Sequence, residues 1–302
     1  MKTQNLLGVL TALTLSTLAG MAQAAERFAL SGAIEQGGLV FGRADTAAKV
    51  SLGKRTVRLT ADGRFIFGIG RDEKGPLILR LRYRDGSTEE RRLAVSKRTW
   101  RIQRITGLPR AMVTPPQRLM ARLTREYKLV VAARTKDSNG THWGERLDWP
   151  AYGRVSGVFG SQRFYNGKPR TYHSGVDVAK PAGTAIKAPT GGVVTLVHQG
   201  MYFAGKIVVL DHGHGLASSF IHMSKILVKV GDKVRKGQTV GLVGSTGRST
   251  GPHLHWSLSW FQTRIDPQRA VGPMPKRQAR PASNRRPAKK RRASKKKASK
   301  RR

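Results

Sequence analysis

Short apolar runs separated by glycine-containing turns fill most of this chain, and this pattern constrains the fold more than any other feature. In the second half the runs cover residues 193–197, 207–210, 227–230 and 239–243. Runs of this length that are rich in β-branched residues and bounded by turns are typical of β-strands. The 34 glycines of the chain agree with a turn-rich architecture. We therefore predict a mainly β protein.

The 302 residues are enough for two domains. Residues 26–108 alternate strand-like segments with turns and predict a small Ig-like β-sandwich. Residues 109–150 predict a linker with one helix over about 117–134, where apolar residues recur at helical spacing. Residues 151–270 predict a compact, mostly antiparallel β-sheet domain. We expect the helix to pack between these two domains.

Both ends of the chain differ in composition from the middle. Residues 1–24 have the short polar start, the uncharged run and the small-x-small cleavage site of a secretory signal peptide. The uncharged run is shorter than the roughly 20 residues that a transmembrane helix needs, and no later segment is more apolar. Residues 271–302 predict a disordered tail rich in lysine and arginine. We therefore expect an exported protein of the periplasm or cell envelope, without a transmembrane segment after signal cleavage.

The net charge predicts the kind of partner that the chain attracts. The sequence has 57 Lys and Arg against 17 Asp and Glu, which gives a formal charge of +40. Such a charge attracts polyanions. We expect the basic tail to adhere to an anionic envelope surface, either lipopolysaccharide or phospholipid. Nucleic acid is a poorer candidate because the tail has no aromatic residues to stack on bases, and the signal peptide directs the chain out of the cytoplasm.

The histidines are concentrated in one part of the chain. Seven of the eight lie in the predicted second domain, whereas only His142 lies outside it. Because the chain has no cysteine, a metal site would have to be built from histidine and carboxylate side chains. The concentration therefore indicates a metal or proton-transfer site in the second domain.

Two short motifs provide candidate ligands. His173 and Asp177 are four residues apart around Gly175, and His253 and His255 are two residues apart on a predicted strand, so that both imidazoles point to one face. A catalytic zinc site usually has three protein ligands and one open position. His173, Asp177 and one member of the His253/His255 pair would supply the three, and the spacing alone does not choose between the two.

Histidine is also the expected proton acceptor. No glutamate follows Glu145, and the sequence has no His-Glu-x-x-His motif. The candidates are His222 and whichever of His253 and His255 is not a ligand. His212, next to Asp211 at the end of a predicted strand, is expected to support the site from outside the ligand set.

These residues closely resemble the lysostaphin/LytM family of zinc metallopeptidases, which are glycyl-glycine and D,D-endopeptidases of bacterial cell walls. The resemblance covers residues 153–267. Within the family, the sequence is similar to the Gram-negative forms in which the peptidase domain follows a β-rich N-terminal domain. It implies a peptidase domain with a duplicated hybrid motif of the barrel-sandwich type. The shared motifs are His173-x-x-x-Asp177, Ile221-His222-Met223-Ser224, Val230-Gly231-Asp232-Lys233-Val234, Gly244-Ser245-Thr246-Gly247 and Gly251-Pro252-His253-Leu254-His255.

The resemblance implies a role for each candidate residue. The ligands of one zinc ion per chain would be His173, Asp177 and His255, while His222 and His253 would be the catalytic pair. One departure is Phe220, where the family usually has tyrosine, and the missing hydroxyl could weaken polar contacts in the cleft.

The resulting prediction is a zinc-dependent metalloendopeptidase that hydrolyses peptide cross-links or stem peptides of peptidoglycan. The alternative is a non-catalytic envelope regulator that binds and activates cell-wall amidases, as relatives that have lost ligands do. A carrier domain with similar hairpins would need no cluster of histidine and aspartate.

Overall fold

The computed structural model describes residues 27–275. The predicted signal peptide (1–24) and nearly all of the predicted basic tail (271–302) lie outside the described residues. In the described part strands predominate and the helices are few, which confirms the prediction of a mainly β protein. None of the helices in residues 27–275 combines the length and the hydropathy that crossing a bilayer requires.

Two antiparallel sheets form the N-terminal part. One has the strand order β1-β2-β5 and the other β4-β3-β6-β7. On β6, Leu79 and Leu81 are buried while the intervening arginines are exposed, so the period of two in the sequence directs apolar side chains to the core. The strands are β1 (Phe28–Ser31), β2 (Leu39–Ala44), β3 (Lys49–Leu52), β4 (Arg55–Val57), β5 (Arg64–Gly68), β6 (Leu77–Arg82) and β7 (Thr88–Leu93).

The segment between the two large β-regions holds one strand and most of the helical residues. The strand is β8 (Ile102–Ile105), and the helices are α1 (Arg110–Val113), a 3-10 turn (Gln117–Leu119), α2 (Met120–Arg134) and a second 3-10 turn (His142–Gly144). The first turn and α2 together cover the stretch in which the sequence predicted a helix.

An eight-stranded antiparallel sheet dominates the C-terminal part. Its order is β18-β14-β15-β16-β20-β12-β9, with β21 attached to β20, and β13, β19 and β17 form a small second sheet. The elements are β9 (Arg154–Gly157), β10 (Gln162–Tyr165), β11 (Lys168–Pro169), β12 (Val176–Ala179), β13 (Ala185–Lys187), β14 (Gly192–Met201), β15 (Gly205–Gly213), β16 (Leu216–Met223), β17 (Lys225–Ile226), β18 (Lys233–Val234), β19 (Thr239–Leu242), β20 (His253–Trp260), β21 (Thr263–Ile265) and α3 (Pro267–Val271).

Helix α2 packs against the outer face of this large sheet. Ala133 lies in one apolar cluster with Leu196, Val209 and Ala217, which belong to β14, β15 and β16. The helix thus lies on the C-terminal sheet, whereas the sequence analysis expected it between the domains. The difference arises because its buried side faces residues more than 60 positions later in the chain.

The two β-regions pack directly on each other through β5 and the β20–β21 hairpin. A Cβ added at Gly68 would lie 2.8 Å from both Ile265 and Trp260, so the backbone approach depends on glycine at this position. An ion pair between Arg98 and Asp266, with 2.8 Å between Nη2 and Oδ2, also joins the two regions. Further along the chain, β8 pairs in parallel with β10, with Gln162 opposite Ile102.

Candidate metal centre and cleft

Three side chains from two parts of the sequence converge near one edge of the large sheet, where β12 and β20 pair. Asp177 on β12 is the register partner of His255 on β20, and His173 precedes β12 by one turn. The Oδ1 of Asp177 lies 2.7 Å from Nδ1 of His255 and 3.1 Å from Nε2 of His173. Nε2 of His173 and Nδ1 of His255 are 3.0 Å apart. The three atoms therefore lie within 3.1 Å of one another, and all three residues are buried.

Backbone groups orient the His173 ring. Its Nδ1–H donates a hydrogen bond to the carbonyl of Val158 at 3.0 Å, which leaves Nε2 with a free lone pair. A histidine ligand commonly has its second ring nitrogen held by a carbonyl in this way.

Two glycines allow the three side chains to approach each other. A Cβ at Gly157 would lie 2.3 Å from Oδ2 of Asp177, and a Cβ at Gly175 would lie 3.0 Å from Nε2 of His255. Gly175 is not among the glycines with positive φ, and a Cβ there would also lie 2.3 Å from the carbonyl oxygen of Trp256. Gly175 therefore makes room for β20 beside His173.

The buried carboxylate is charged although it is removed from water. Burial by itself would raise the pKa of Asp177, but attraction and hydrogen bonds from His173 and His255 hold that pKa well below its usual range. Burial lowers the pKa of His255 to about 3, so this imidazole is neutral at pH 7. A neutral imidazole and an ionised carboxylate are the protonation states in which these groups bind a cation.

Arg163 supports the carboxylate from the side opposite the histidines. Its Nη2 lies 3.0 Å from Oδ2 of Asp177, and its Nε donates to Oε1 of Gln103 at 2.9 Å. The guanidinium thus occupies Oδ2 and leaves Oδ1 directed at His173 and His255. Sequence reasoning missed Arg163, since the pairing of β8 with β10 that positions it has no signal in a single sequence.

His222 and His253 face each other beside this trio. Their ring centroids are 5.1 Å apart, and Nε2 of His253 is 3.7 Å from Oδ1 of Asp177. Nδ1–H of His222 donates to the carbonyl of Thr246 at 2.7 Å, and Nδ1–H of His253 donates to that of Gly251 at 2.8 Å. In both rings Nε2 is therefore the nitrogen with a free lone pair.

The backbone of His222 is held in an uncommon conformation. Its φ is 64°, in the left-handed region that side chains with a Cβ rarely adopt, and its N–H donates to the carbonyl of Ala204 at 2.8 Å. Strain of this kind is concentrated at functional sites. Burial first, and the charge of His253 second, lower the pKa of His222 to about 4, so this ring is also neutral at pH 7.

The five residues lie in or beside a cleft of about 270 Å³. The described lining residues all follow Ile102, so the strands β1 to β7 of the two N-terminal sheets contribute none of them. One wall comes from β8 and the residues after it, and the other comes from the loop before β20. Three arginines line the cleft, whereas Asp177 is the only carboxylate among its described lining residues; the arginines are Arg154, Arg163 and Arg248.

Two sequence expectations about neighbouring residues have clear outcomes. Phe220 is fully buried in the core and does not line the cleft, so the missing hydroxyl removes no polar contact there. His212 is fully buried and reaches the site only indirectly. It bonds to Ser218, which also accepts a hydrogen bond from the indole of Trp256, the neighbour of His255.

Fold and site together define a two-part β protein in which a His-Asp-His group that could hold a metal ion lies beside a basic cleft. Residues 171–267 match the model of peptidase family M23. The crystal structure of a Pseudomonas aeruginosa protein described as a candidate M23 peptidase is 33% identical, with a TM-score of 0.60, over 79% of this chain and 94% of that one. The chain belongs to peptidase family M23.

Curated relatives share the C-terminal part. The peptidoglycan DD-endopeptidase ShyA of Vibrio cholerae is 41% identical over 122 residues, which are 40% of this chain and 28% of ShyA. The DD-carboxypeptidase/endopeptidase Mpg of Neisseria meningitidis is 35% identical over 134 residues, which are 44% of this chain and 30% of Mpg. The chain thus spans less than a third of the length of these relatives.

Proposed function

We propose that this chain is a zinc-dependent endopeptidase that hydrolyses the peptide cross-links or stem peptides of peptidoglycan. The observation that carries the proposal is the meeting of His173, Asp177 and His255 within 3.1 Å of one another, with His222 and His253 beside them at an open cleft. Membership of the M23 family and the named activity of ShyA support the same reaction.

The side chains of His173, Asp177 and His255 offer the kind of ligand atoms that zinc binds. Two imidazoles and one carboxylate are ordinary zinc ligands, at about 2.0–2.2 Å from the ion, and three protein ligands leave one position for a water or a substrate. The distances of 2.7–3.1 Å between the three atoms are shorter than the roughly 3.3–3.6 Å between ligand atoms of such a tetrahedral site, so the side chains would move slightly apart to hold the ion. Bound there, zinc would lower the pKa of a water molecule and polarise the scissile carbonyl.

His222 and His253 would handle the proton in this reaction. Each ring has its Nδ1–H engaged by a backbone carbonyl, which orients a free Nε2 towards the cleft. A neutral imidazole in this position can accept the proton of the attacking water and pass it to the leaving amine. Arg163 would keep Asp177 in place through Oδ2 while this occurs.

The charge of the cleft favours anionic substrates. Once Asp177 binds a cation, the lining retains three arginines and no other carboxylate among the described residues. Arg248 lies against the rings of Tyr165 and Phe203, at 4.8 and 4.2 Å from their centroids, and donates to the carbonyl of Met112. A guanidinium held in this way is suited to a carboxylate. We therefore favour stem peptides, which carry free carboxylates, over uncharged glycine bridges.

The first prediction concerns the reaction itself. Purified peptidoglycan digested with the zinc-loaded chain and then cut along its glycan strands with a muramidase should release monomeric muropeptides in place of cross-linked dimers. Mass spectrometry of the products should identify the cleaved peptide bond. Removal of the metal with a chelator should abolish this release, and added zinc should restore it. If the loaded chain instead releases no product but increases the activity of an added cell-wall amidase, the regulator hypothesis is right. That alternative is not favoured, because all five site residues are present.

The second prediction concerns Arg248. Substitution of Arg248 by methionine should raise KM about tenfold for a soluble stem peptide with a free carboxylate, since a hydrogen bond to a charged group contributes about 1.5–3 kcal/mol. The kcat should change little, because Arg248 does not contact the trio. The matched control is Arg235→Met, at an exposed turn position outside the cleft. An equal rise in KM for a neutral oligoglycine substrate would contradict recognition by charge.

The remaining sequence predictions are part of this proposal. We propose the division into a β-sandwich (26–108), a linker (109–150) and a peptidase unit (151–270), and the site of action in the periplasm or cell envelope. The signal peptide and the adhesion of the tail to lipopolysaccharide or phospholipid concern residues outside the described part of the chain, and they stay predictions.

A further inference from the structure

Arg134, the last residue of α2, is buried without a counter-charge. Arg134 is only 6% exposed, and its Nε is buried without a hydrogen-bond partner. Within residues 27–275 no carboxylate forms an ion pair with it. A buried guanidinium without a partner is costly, so Arg134 needs an explanation.

Arg264 on β21 is partly buried, and within the described residues it too has no ion pair with a carboxylate. The one hydrogen bond of its side chain within the described residues is a long one, from Nη1 to Oγ of Ser257 at 3.3 Å. Burial, and after it the positive charge of Arg134, lowers the pKa of Arg264 to about 9. The two guanidinium groups therefore lie close enough to repel each other. The groups that act on the pKa of either arginine include no carboxylate.

Hydroxyl groups face the same space. Ser259 is the register partner of both Arg264 and Ala217, and Ala217 packs with Ala133, the neighbour of Arg134. Ser219 lies opposite Ser257, on the same face of the sheet. The hydroxyl oxygens of Ser219 and Ser259 are both buried without a hydrogen-bond partner, as is Nε of Arg134. Two guanidinium groups and three serine hydroxyls thus lie between the end of α2 and this face of the sheet.

The chemistry of this lining selects an anion. Guanidinium groups only donate hydrogen bonds, and serine hydroxyls can donate one each, so the lining has a surplus of donors. An oxyanion offers several acceptor oxygens and the opposite charge, and it would separate two positive groups that otherwise repel each other. A neutral ligand or a cation would leave this charge uncompensated.

The side chain of Arg264 is accessible from solvent. Arg264 and Tyr172 line an open hollow of about 510 Å³ between residues 70–74 and the β20–β21 hairpin. The two acidic residues at its rim already have partners in the same loop: Asp72 pairs with Arg71, and the carboxylate of Glu73 accepts hydrogen bonds from the N–H groups of Lys74 and Gly75. The hollow is distinct from the catalytic cleft, with which it shares no lining residue.

We propose that Arg134 and Arg264, with Ser219, Ser257 and Ser259, form a binding site for an oxyanion between the end of α2 and the large sheet. The bound oxyanion joins α2 to the face of β20 that also carries His255, two residues before Ser257. The shared chemistry of the ligand is a phosphate, sulfate or carboxylate group. This site does not depend on the proposed peptidase activity.

Thermal unfolding of the full chain tests this site. The protein is first stripped of metal with a chelator, so that an anion cannot bind through zinc. Unfolding is then followed in phosphate, in sulfate, in acetate and in chloride at one ionic strength. At an oxyanion concentration well above Kd, we expect the midpoint of the wild-type chain to rise by several degrees relative to chloride.

Two variants and one control complete the experiment. Arg264→Met and Arg134→Met should each lose most of the rise, with apparent binding weakened at least about tenfold. Arg235→Met removes an equal charge at an exposed position away from these residues, and this variant should keep the rise in the midpoint. A rise in acetate alone would identify a peptide carboxylate as the ligand, and a rise in phosphate or sulfate would identify an inorganic anion. The proposal is overturned if no oxyanion raises the wild-type midpoint, or if the rise is equal in all three variants.

Discussion

Substitution of His253 by alanine should lower kcat for peptidoglycan hydrolysis by about 10²- to 10⁴-fold, the usual contribution of a positioned acid or base. The variant should still bind zinc, because His253 is not one of the three residues whose donor atoms meet within 3.1 Å. Its Nε2 lies 3.7 Å from Oδ1 of Asp177, which is close enough to reach a water at the open position but too far for a direct hydrogen bond. Activity should be measured on a soluble cross-linked dimer, and bound zinc by elemental analysis.

His198→Ala is the matched control for this variant. His198 lies on β14 and does not line the cleft. Its removal should leave kcat unchanged. His222→Ala should resemble His253→Ala in its loss of kcat, and the double variant should lose little more than either single one if the two rings act as a unit. A His253→Ala chain with full activity would refute the proposed roles.

Substitution of Asp177 by alanine should abolish both zinc binding and hydrolysis. The carboxylate of Asp177 contacts three side chains: His173 at 3.1 Å, His255 at 2.7 Å and Arg163 at 3.0 Å. Loss of an outer partner of a metal ligand costs roughly 10- to 100-fold in affinity, and loss of the ligand itself should cost more. In addition, two histidines and a partly buried arginine without the carboxylate attract a cation much less.

Zinc affinity measured by competition with a chelating dye checks this expectation. Asp148→Ala is the control, because Asp148 is half-exposed and pairs with Lys236 outside the cleft. It should leave zinc affinity and kcat as they are in the wild type. If Asp177→Ala bound zinc as tightly as this control, the ion would have to be held by other residues, and the proposed metal centre would be wrong.

Local patterns predicted the elements that depend on near neighbours in the chain. The helical spacing of apolar residues located α2 within three residues, and the runs at 193–197 and 207–210 located β14 and β15 of the large sheet. The run at 239–243 corresponds to β19 of the small second sheet. The strand predicted at 227–230 was wrong, because this run forms the connection between β17 and β18. The spacing of His253 and His255 indicated one face of a strand, and β20 has this geometry. The five-residue helix α3 was missed, since it is too short to show a period.

The prediction of the candidate site depended on both the residue pattern and the family resemblance. The sequence alone narrowed the metal ligands to His173, Asp177 and one of two histidines, and the family resemblance chose His255. The structure brings His255 together with the other two and leaves His253 beside His222. Arg163, Arg248 and the strand β8 that forms one wall of the cleft were not found by either route.

The sequence by itself determined which chemical groups are available: histidine and aspartate without cysteine, short strands between glycines, and a large excess of positive charge. Residue type and period are local properties, and they can be read without knowing the fold. Only the tertiary structure decided which of these groups meet. The contacts between Arg163 and Gln103, between Asp177 and His255, and between the regions of Arg134 and Arg264 join residues 60 to 130 positions apart. Such contacts arise from sheet register and from packing of the whole core, which no local pattern encodes.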